Sequence, residues 1–243
     1  MVAPQGAGLD PCRVTSRCLP KPSAAEAILD TVPSSRYDKV EHESKIKLVD
    51  AAVSVARAKG YGAARVDDIC AAAGLTKGSF FHHFDSKEDL ALAAAERWGA
   101  TSGGLFAAAA YRELPDPLDR LLAYVDFRKA LIRGEPREFT CFAGTTVQEV
   151  HETHPAIRDA CGETILGHAA TLEADVTAAM RQHGAAGTWT ARSLALHTQA
   201  VIQGAFVLAK ATQDPTIAIA SLDHLGRYLE LLFRPPQPKE KTP

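Results

Sequence analysis

From residue 46 to residue 232 the apolar residues recur at helical spacing, and a proline or a glycine marks most places where that spacing breaks. Ile46, Val49, Val53 and Ala56 stand at i, i+3, i+7 and i+10, one stripe of an amphipathic helix that stops at Gly60, after Lys59. Val66, Ile69, Cys70 and Ala73 repeat the pattern on a short second helix that Gly74 breaks. A third short helix is expected from Lys77 to His83, and Ser86 opens a fourth that Leu105 and Phe106 close. Ser86 and Asp89 approximate a capping box at its start. Pro115 and Pro117 begin the next helix, with Leu118, Leu121, Leu122 and Val125 as its stripe up to Gly134. Further breaks fall at Glu135-Pro136, His154-Pro155, Gly184–Gly187 and Asp214-Pro215. The spacing predicts an all-α fold of about nine helices without strands.

The two ends read differently. Pro4, Pro11, Pro20, Pro22 and Pro33 interrupt residues 1–38, which are expected to form a disordered tail. Pro235-Pro236-Gln237-Pro238 similarly sets off residues 235–243. No apolar run reaches the ~18 residues of a membrane span, and no secretory signal opens the chain, so a cytoplasmic location is expected.

Enzymatic and metal chemistry find no support. Cys12, Cys18, Cys70, Cys141 and Cys161 are odd in number and scattered, with no Cys-x-x-Cys pair for a disulfide framework or zinc. His151 and His154 are three apart with Pro155 following, whereas the zinc-protease motif needs histidines at i and i+4 on one helical face. Gly60-Tyr61-Gly62 lacks the third glycine and the preceding strand of a dinucleotide site. No nucleophile elbow, phosphate loop or catalytic Cys-His pattern occurs. The expectation is a protein that is not an enzyme and carries no metal or cofactor.

Helices at 66–73 and 77–83, joined by Gly74-Leu75-Thr76, have the proportions of a helix-turn-helix, whose second helix lies in the major groove of DNA. Gly74 suits a left-handed helix end, and Thr76 stands where an N-cap belongs. Phe80 and Phe84 should face inward with Val66, Ile69 and Ile46, leaving Lys77, Gly78, Phe81 and His82 outside. Lys77 can reach guanine O6 or N7, and Thr76 and Ser79 can donate to phosphate or bases. Gly78 costs about 1 kcal/mol of helix propensity, which makes sense if the backbone approaches something closely. Charge does not announce such a role: the chain carries a net −2, and residues 41–90 hold seven Lys and Arg against eight Asp and Glu. Any positive field must therefore come from geometry. A plain packed bundle is equally compatible with the periodicity, which leaves a small helical ligand-binding protein or enzyme as the alternative.

Residues 71–90, Ala-Ala-Ala-Gly-Leu-Thr-Lys-Gly-Ser-Phe-Phe-His-His-Phe-Asp-Ser-Lys-Glu-Asp-Leu, resemble the recognition segment of the TetR family, as do Ala51-Ala52 and Gly60-Tyr61 before it. The resemblance covers about 45 residues. It implies base contacts from Lys77 and Gly78, and phosphate contacts from Thr76, Ser79, Phe81, His82, His83 and Lys87. Two departures stand out: Ala64 replaces the usual capping Thr, and Phe81 the usual Tyr. The resemblance further implies a DNA-binding domain at 39–90, a ligand-binding and dimerisation domain at 91–234, and a homodimeric repressor that a small molecule releases from a palindromic operator.

The dimer interface implied by the family would use helices at about 190–212 and 215–233. Ala200, Gly204 and Ala205 would permit close approach, Val201, Phe206, Val207 and Leu208 would supply apolar area, and Leu222, Leu225, Leu229 and Leu232 would form the second stripe. Core packing within one monomer would give the same pattern. A pocket is implied by the family and not by a motif. Trp98, Phe106, Tyr124, Phe127, Phe142, Gln148 and His151 are candidates because they mix aromatic surface with polar groups. Cys141 is a candidate redox sensor if a helix N-terminus stabilises its thiolate.

Overall fold

The computed structural model describes residues 43–185 and 187–234. Both expected tails, with Cys12 and Cys18, lie outside the described residues. Among the described residues are ten α-helices, one 3-10 turn and no strand. The helices are α1 (Glu43–Lys59), α2 (Val66–Ala73), α3 (Lys77–His83), α4 (Lys87–Ala107), α5 (Pro117–Ala130), α6 (Pro136–Phe139), α7 (Phe142–Val150), α8 (Pro155–His183), α9 (Ala191–Thr212) and α10 (Pro215–Phe233), with the 3-10 turn at Ala110–Glu113. Proline opens α5, α6, α8 and α10, where its missing N–H has no helical partner to lose.

Helix α1 is more deeply embedded than its four-residue stripe suggests. Its buried residues are Leu48, Val49, Ala51, Ala52 and Ala56, and Ile46 and Val53 lie half-buried at the margins. The burial is wide because α2, α4, α6 and α7 all pack around this one helix. Helix α8, at 29 residues about 44 Å long, is the spine of the molecule. It packs on α4 and α7 towards one end, and on α5 and α9 towards the other.

Two buried clusters result. One joins α1–α3 and the first half of α4 to Phe142, Ala143 and Val150 of α7 and Ile157 and Cys161 of α8. The other fills the space between α5, α8, α9 and α10. Thus the apolar core beneath the three short helices does not close at residue 90; it runs on into α7 and α8.

Capping sets the last two helices. Thr190 Oγ1 accepts from Ser193 N at 3.1 Å, and Asp214 Oδ1 accepts from Thr216 N at 2.8 Å. Ala205 and Phe206 of α9 and Leu222, Leu225 and Leu229 of α10 are buried within the monomer. Ala200, Gly204, Val207 and Leu208 face outward, with Tyr228 and Leu231 of α10.

Candidate nucleic-acid interface and internal cavity

Helices α2 and α3 meet at a sharp turn that their residues dictate. Gly74 sits at φ 66°, a left-handed conformation that a side chain would strain. Leu75 N then donates back to Cys70 O at 2.9 Å, closing the end of α2. Thr76 Oγ1 accepts from Ser79 N at 3.2 Å and caps α3 as expected. At the start of α2 no side chain of residue 64 or 65 caps the helix. Asp68 Oδ2 instead accepts from Arg65 N at 3.0 Å, half of a capping box. At the start of α4, Ser86 Oγ accepts from Asp89 N at 3.0 Å, and Asp89 reaches back to Asp85 N rather than to Ser86.

The two faces of α3 separate sharply. Phe80 is fully buried and packs against Phe84 at 5.9 Å between ring centroids. Phe81, the next residue, is 61% exposed, an unusual position for a large apolar ring. Lys77, Gly78 and His82 are exposed beside it, and α3 contains no carboxylate. A Cβ on Gly78 would meet only Thr76 Oγ1, at 3.6 Å, so nothing inside the chain requires glycine there.

Three acidic residues of α1 and α2 are held in ion pairs. Asp68 binds Lys59 at 2.6 Å, Glu43 binds Lys47 at 2.6 Å and Asp50 binds Arg97. Lys77 pairs with Asp67 at 2.8 Å, and both are exposed, so this bond is weak and exchangeable. Two of the expected phosphate ligands, His83 and Lys87, also have partners in the chain. His83 Nε2 lies 2.6 Å from Ser44 Oγ of α1. Lys87 Nζ donates to Tyr61 O at 3.0 Å and Ala64 O at 3.2 Å, with the Tyr61 ring 4.2 Å away. Burial lowers the Lys87 ammonium from its ordinary value.

The turn between α1 and α2 is gripped from the other side by Glu149 of α7. Its carboxylate accepts from Tyr61 N at 3.2 Å and from Gly62 N at 2.8 Å. Gly60, at φ 87°, leaves room for it, since a Cβ there would overlap the carboxylate. A second tie joins α1 to the body: Arg57 donates to Thr140 O at 2.7 Å and lies 5.1 Å over the Trp98 ring. Trp98 also lines the cavity described next.

A cavity of about 830 Å³ opens between α4, α5, α8 and α9. Of the expected pocket residues, Trp98 and Phe106 line it. Tyr124 is fully buried just behind the wall, its hydroxyl 3.0 Å from His168 Nε2 and 3.2 Å from Gln199 Nε2. Phe127 packs against Phe106 and Tyr111 without lining the cavity, and Phe142 is buried against Trp98. Gln148 borders a smaller groove between α7 and α9, and His151 lies exposed beyond the end of α7. Cys141 caps α7, its sulfur accepting from Gly144 N at 3.3 Å, and borders both spaces. Arg112, Arg128, His168, Gln199 and Gln203 are among the polar residues of the lining, and none of them was picked out from the sequence. Among the described residues no group of three or more His, Cys, Asp or Glu could hold a metal, and no helix is long and apolar enough to cross a membrane.

Burial, reinforced by repulsion from Arg128 and Arg112, pushes His168 down to about 3 from 6.5. The unfolded chain therefore binds a proton near pH 6.5 that the folded chain refuses until near pH 3. Stability from this group is complete above pH 6.5 and is lost as pH falls through that window, at up to about 1.4 kcal/mol per pH unit. Urea midpoints measured from pH 7 down to pH 5 should fall more steeply for the wild type than for His168→Gln. Equal slopes would show that His168 is not held neutral.

A family model described as bacterial regulatory proteins of the tetR family matches residues 48–94. Another, described as a tetracyclin repressor-like C-terminal domain, matches residues 117–225. The HTH-type transcriptional regulator CymR of Pseudomonas putida is 44% identical over 54 residues, which are 22% of this chain and 27% of CymR. The chain thus matches only about a quarter of that curated relative's length. A TetR transcriptional regulator from Chloroflexus aurantiacus superposes with a TM-score of 0.68 at 27% identity, over 77% of this chain and 94% of that one. A TetR-family regulator from Agrobacterium tumefaciens gives a TM-score of 0.69 at 22% identity, over 76% and 96%, and shares the fold. With a helix-turn-helix at one end, an all-helical body at the other and family models matching both parts, the chain belongs to the TetR family.

Proposed function

We propose that the protein is a homodimeric, DNA-binding transcriptional repressor whose grip on a palindromic operator is released by a small molecule in the cavity of the α4–α10 body. The observation that carries this is the split of α3: a fully buried Phe80 fixes the helix, while Lys77, Gly78 and an exposed Phe81 stand on the outer face of a helix that carries no carboxylate of its own, Lys77 being held only by its exposed pair with Asp67. Thr76, Ser79, His82 and His83 flank that face. Residues up to 90 act as the reading head and residues 91–234 as the regulatory and dimerisation part, in the cytoplasm with the chromosome.

Dimerisation is supported by the outward apolar surface of α9 and α10, where Leu196, Val207, Leu208, Tyr228 and Leu231 are exposed. A two-fold dimer matches a palindrome, with half-sites one helical turn or a multiple apart. Release is supported by the ties at Glu149 and Arg57. A molecule that moves Trp98 or α7 pulls directly on the base of the head. The coupling is reciprocal, so operator DNA lowers effector affinity by the same factor.

The test is selection of bound sites from a random duplex library, with salt dependence followed. An enriched palindrome is expected; no enrichment at low salt by a folded dimer would favour a ligand-binding protein or enzyme whose head is merely structural. On the selected site, Lys77→Ala should weaken binding about tenfold to a hundredfold and relax one base position. Lys87→Ala should weaken all sequences alike. A salt slope flattened by about one would assign its ammonium to a phosphate, and an unchanged slope to the turn it clamps.

A further inference from the structure

The cavity wall has a polarity that its apolar lining conceals. Arg112 and Arg120 share one carboxylate, Asp175, at 2.6 and 2.8 Å, so that cluster keeps a surplus positive charge. Arg128 has no ion pair at all among the described residues. Its guanidinium is held between two rings instead, 5.1 Å from the Phe106 centroid and 5.5 Å from that of Phe206. All three of these residues line the cavity, so the guanidinium is fixed in place at an apolar surface with its carboxylate-binding edge unused.

Beside it stands a neutral donor. Gln199 Nε2 donates to the Tyr124 hydroxyl, whose own proton then points to His168 Nε2. That chain places the remaining imidazole proton on Nδ1, which has no partner among the described residues. The cavity's carboxylates, Glu96 and Glu163, belong to exposed residues of α4 and α8, and neither pairs with Arg128.

We infer that the cavity takes an amphipathic organic anion, with its oxyanion on Arg128 and its aromatic or hydrocarbon body among Trp98, Phe106 and Phe206. The inference rests on the proposed effector role of this cavity and supplies the chemistry of the effector. A cationic ligand would meet Arg128 and the Arg112 cluster. A neutral ligand would cover the Arg128 guanidinium without satisfying it. An oxyanion accepts two parallel hydrogen bonds from the guanidinium. The space, about 830 Å³, suits a molecule of drug size.

The test uses two matched series on the full-length protein: 2-naphthoate, 2-naphthamide and 2-naphthylmethylammonium, and decanoate, decanamide and decylammonium. Affinities are read by titration calorimetry. In at least one series the carboxylate should bind about tenfold tighter than its amide, and the ammonium weakest. Arg128→Gln should reduce that preference to about twofold or less, with the loss falling on the carboxylate rather than on the amide, and with the helical melting curve intact. Arg128→Lys, which keeps the charge but loses the planar fork, should retain part of the preference and serves if the glutamine variant does not fold. Amides or ammoniums that bind as tightly as carboxylates would overturn the anion inference and leave the effector role standing, as would a preference that survives Arg128→Gln. If none of the six binds at millimolar concentration, the effector role of the cavity falls with it.

Discussion

Phe80→Ala is expected to destabilise the protein by about 3–5 kcal/mol and to abolish specific DNA binding. The ring is fully buried at the centre of α3, packed against Phe84 and edge-on to Phe81 at 5.0 Å. Its removal leaves a cavity under a seven-residue helix that has little stability of its own. Against a total folding stability of about 5–15 kcal/mol, the loss is large. Phe81→Ala, one position along, is the control. That ring is 61% exposed, so its removal should change stability by less than about 0.5 kcal/mol while still weakening DNA binding. Urea denaturation of both variants decides the matter: equal destabilisation would mean that α3 does not present the face assigned to it.

Asp175→Ala is the second large effect. The carboxylate is almost wholly buried, and it receives Arg112 Nη1 at 2.6 Å and Arg120 Nε at 2.8 Å. Arg120 also donates to Leu114 O at 2.8 Å, so the cluster pins the link between α4 and α5 to the spine. Removing one partner of a buried pair leaves the other charge uncompensated, at a cost of about 3–5 kcal/mol. Arg112 is about a third exposed and partly screened, which favours the lower end of that range. A loss under about 1 kcal/mol in urea denaturation would show that water replaces the carboxylate. Asp175→Asn, which keeps the shape without the charge, should fall between alanine and wild type.

Much of the fold is written in local chemistry. Thr190, Asp214-Pro215 and the Gly184 region bracket α9 and α10, and the ends of those helices fall within a residue of expectation because capping and proline act over a few residues. The all-α class follows from the same periodicity. The phase of α1 was less legible: Leu48, Ala51 and Ala52 are buried because several later helices wrap α1, which no stretch of its own sequence encodes. The cavity was the least legible. Trp98 and Phe106 announce themselves as aromatics, yet Phe127 and Phe142 are equally aromatic and fill cores instead. Arg128 and His168 meet only through the packing of α5 on α8, more than three dozen residues apart in the chain. One trace was present: Arg128 lies between Phe127 and Leu131, an arginine on the apolar side of a helix. Lys87 shows the converse. A lysine at a helix start suggests a phosphate, but its carbonyl partners at residues 61 and 64 appear only in the fold.

The continuity of apolar packing from α1–α3 into α7 and α8 bears on how such proteins can be rearranged. A gene fragment ending at residue 90 would leave the side of α1 that meets Phe142 and Val150 facing water, and its product should be recovered as an insoluble or molten species. Chimeras made by exchanging operator-reading segments between relatives would fail for the same reason if spliced at that point. A graft should carry the far side of the seam with it, at least Phe142, Glu149, Val150 and Ile157, so that the transplanted piece arrives with the surface it was shaped to sit on.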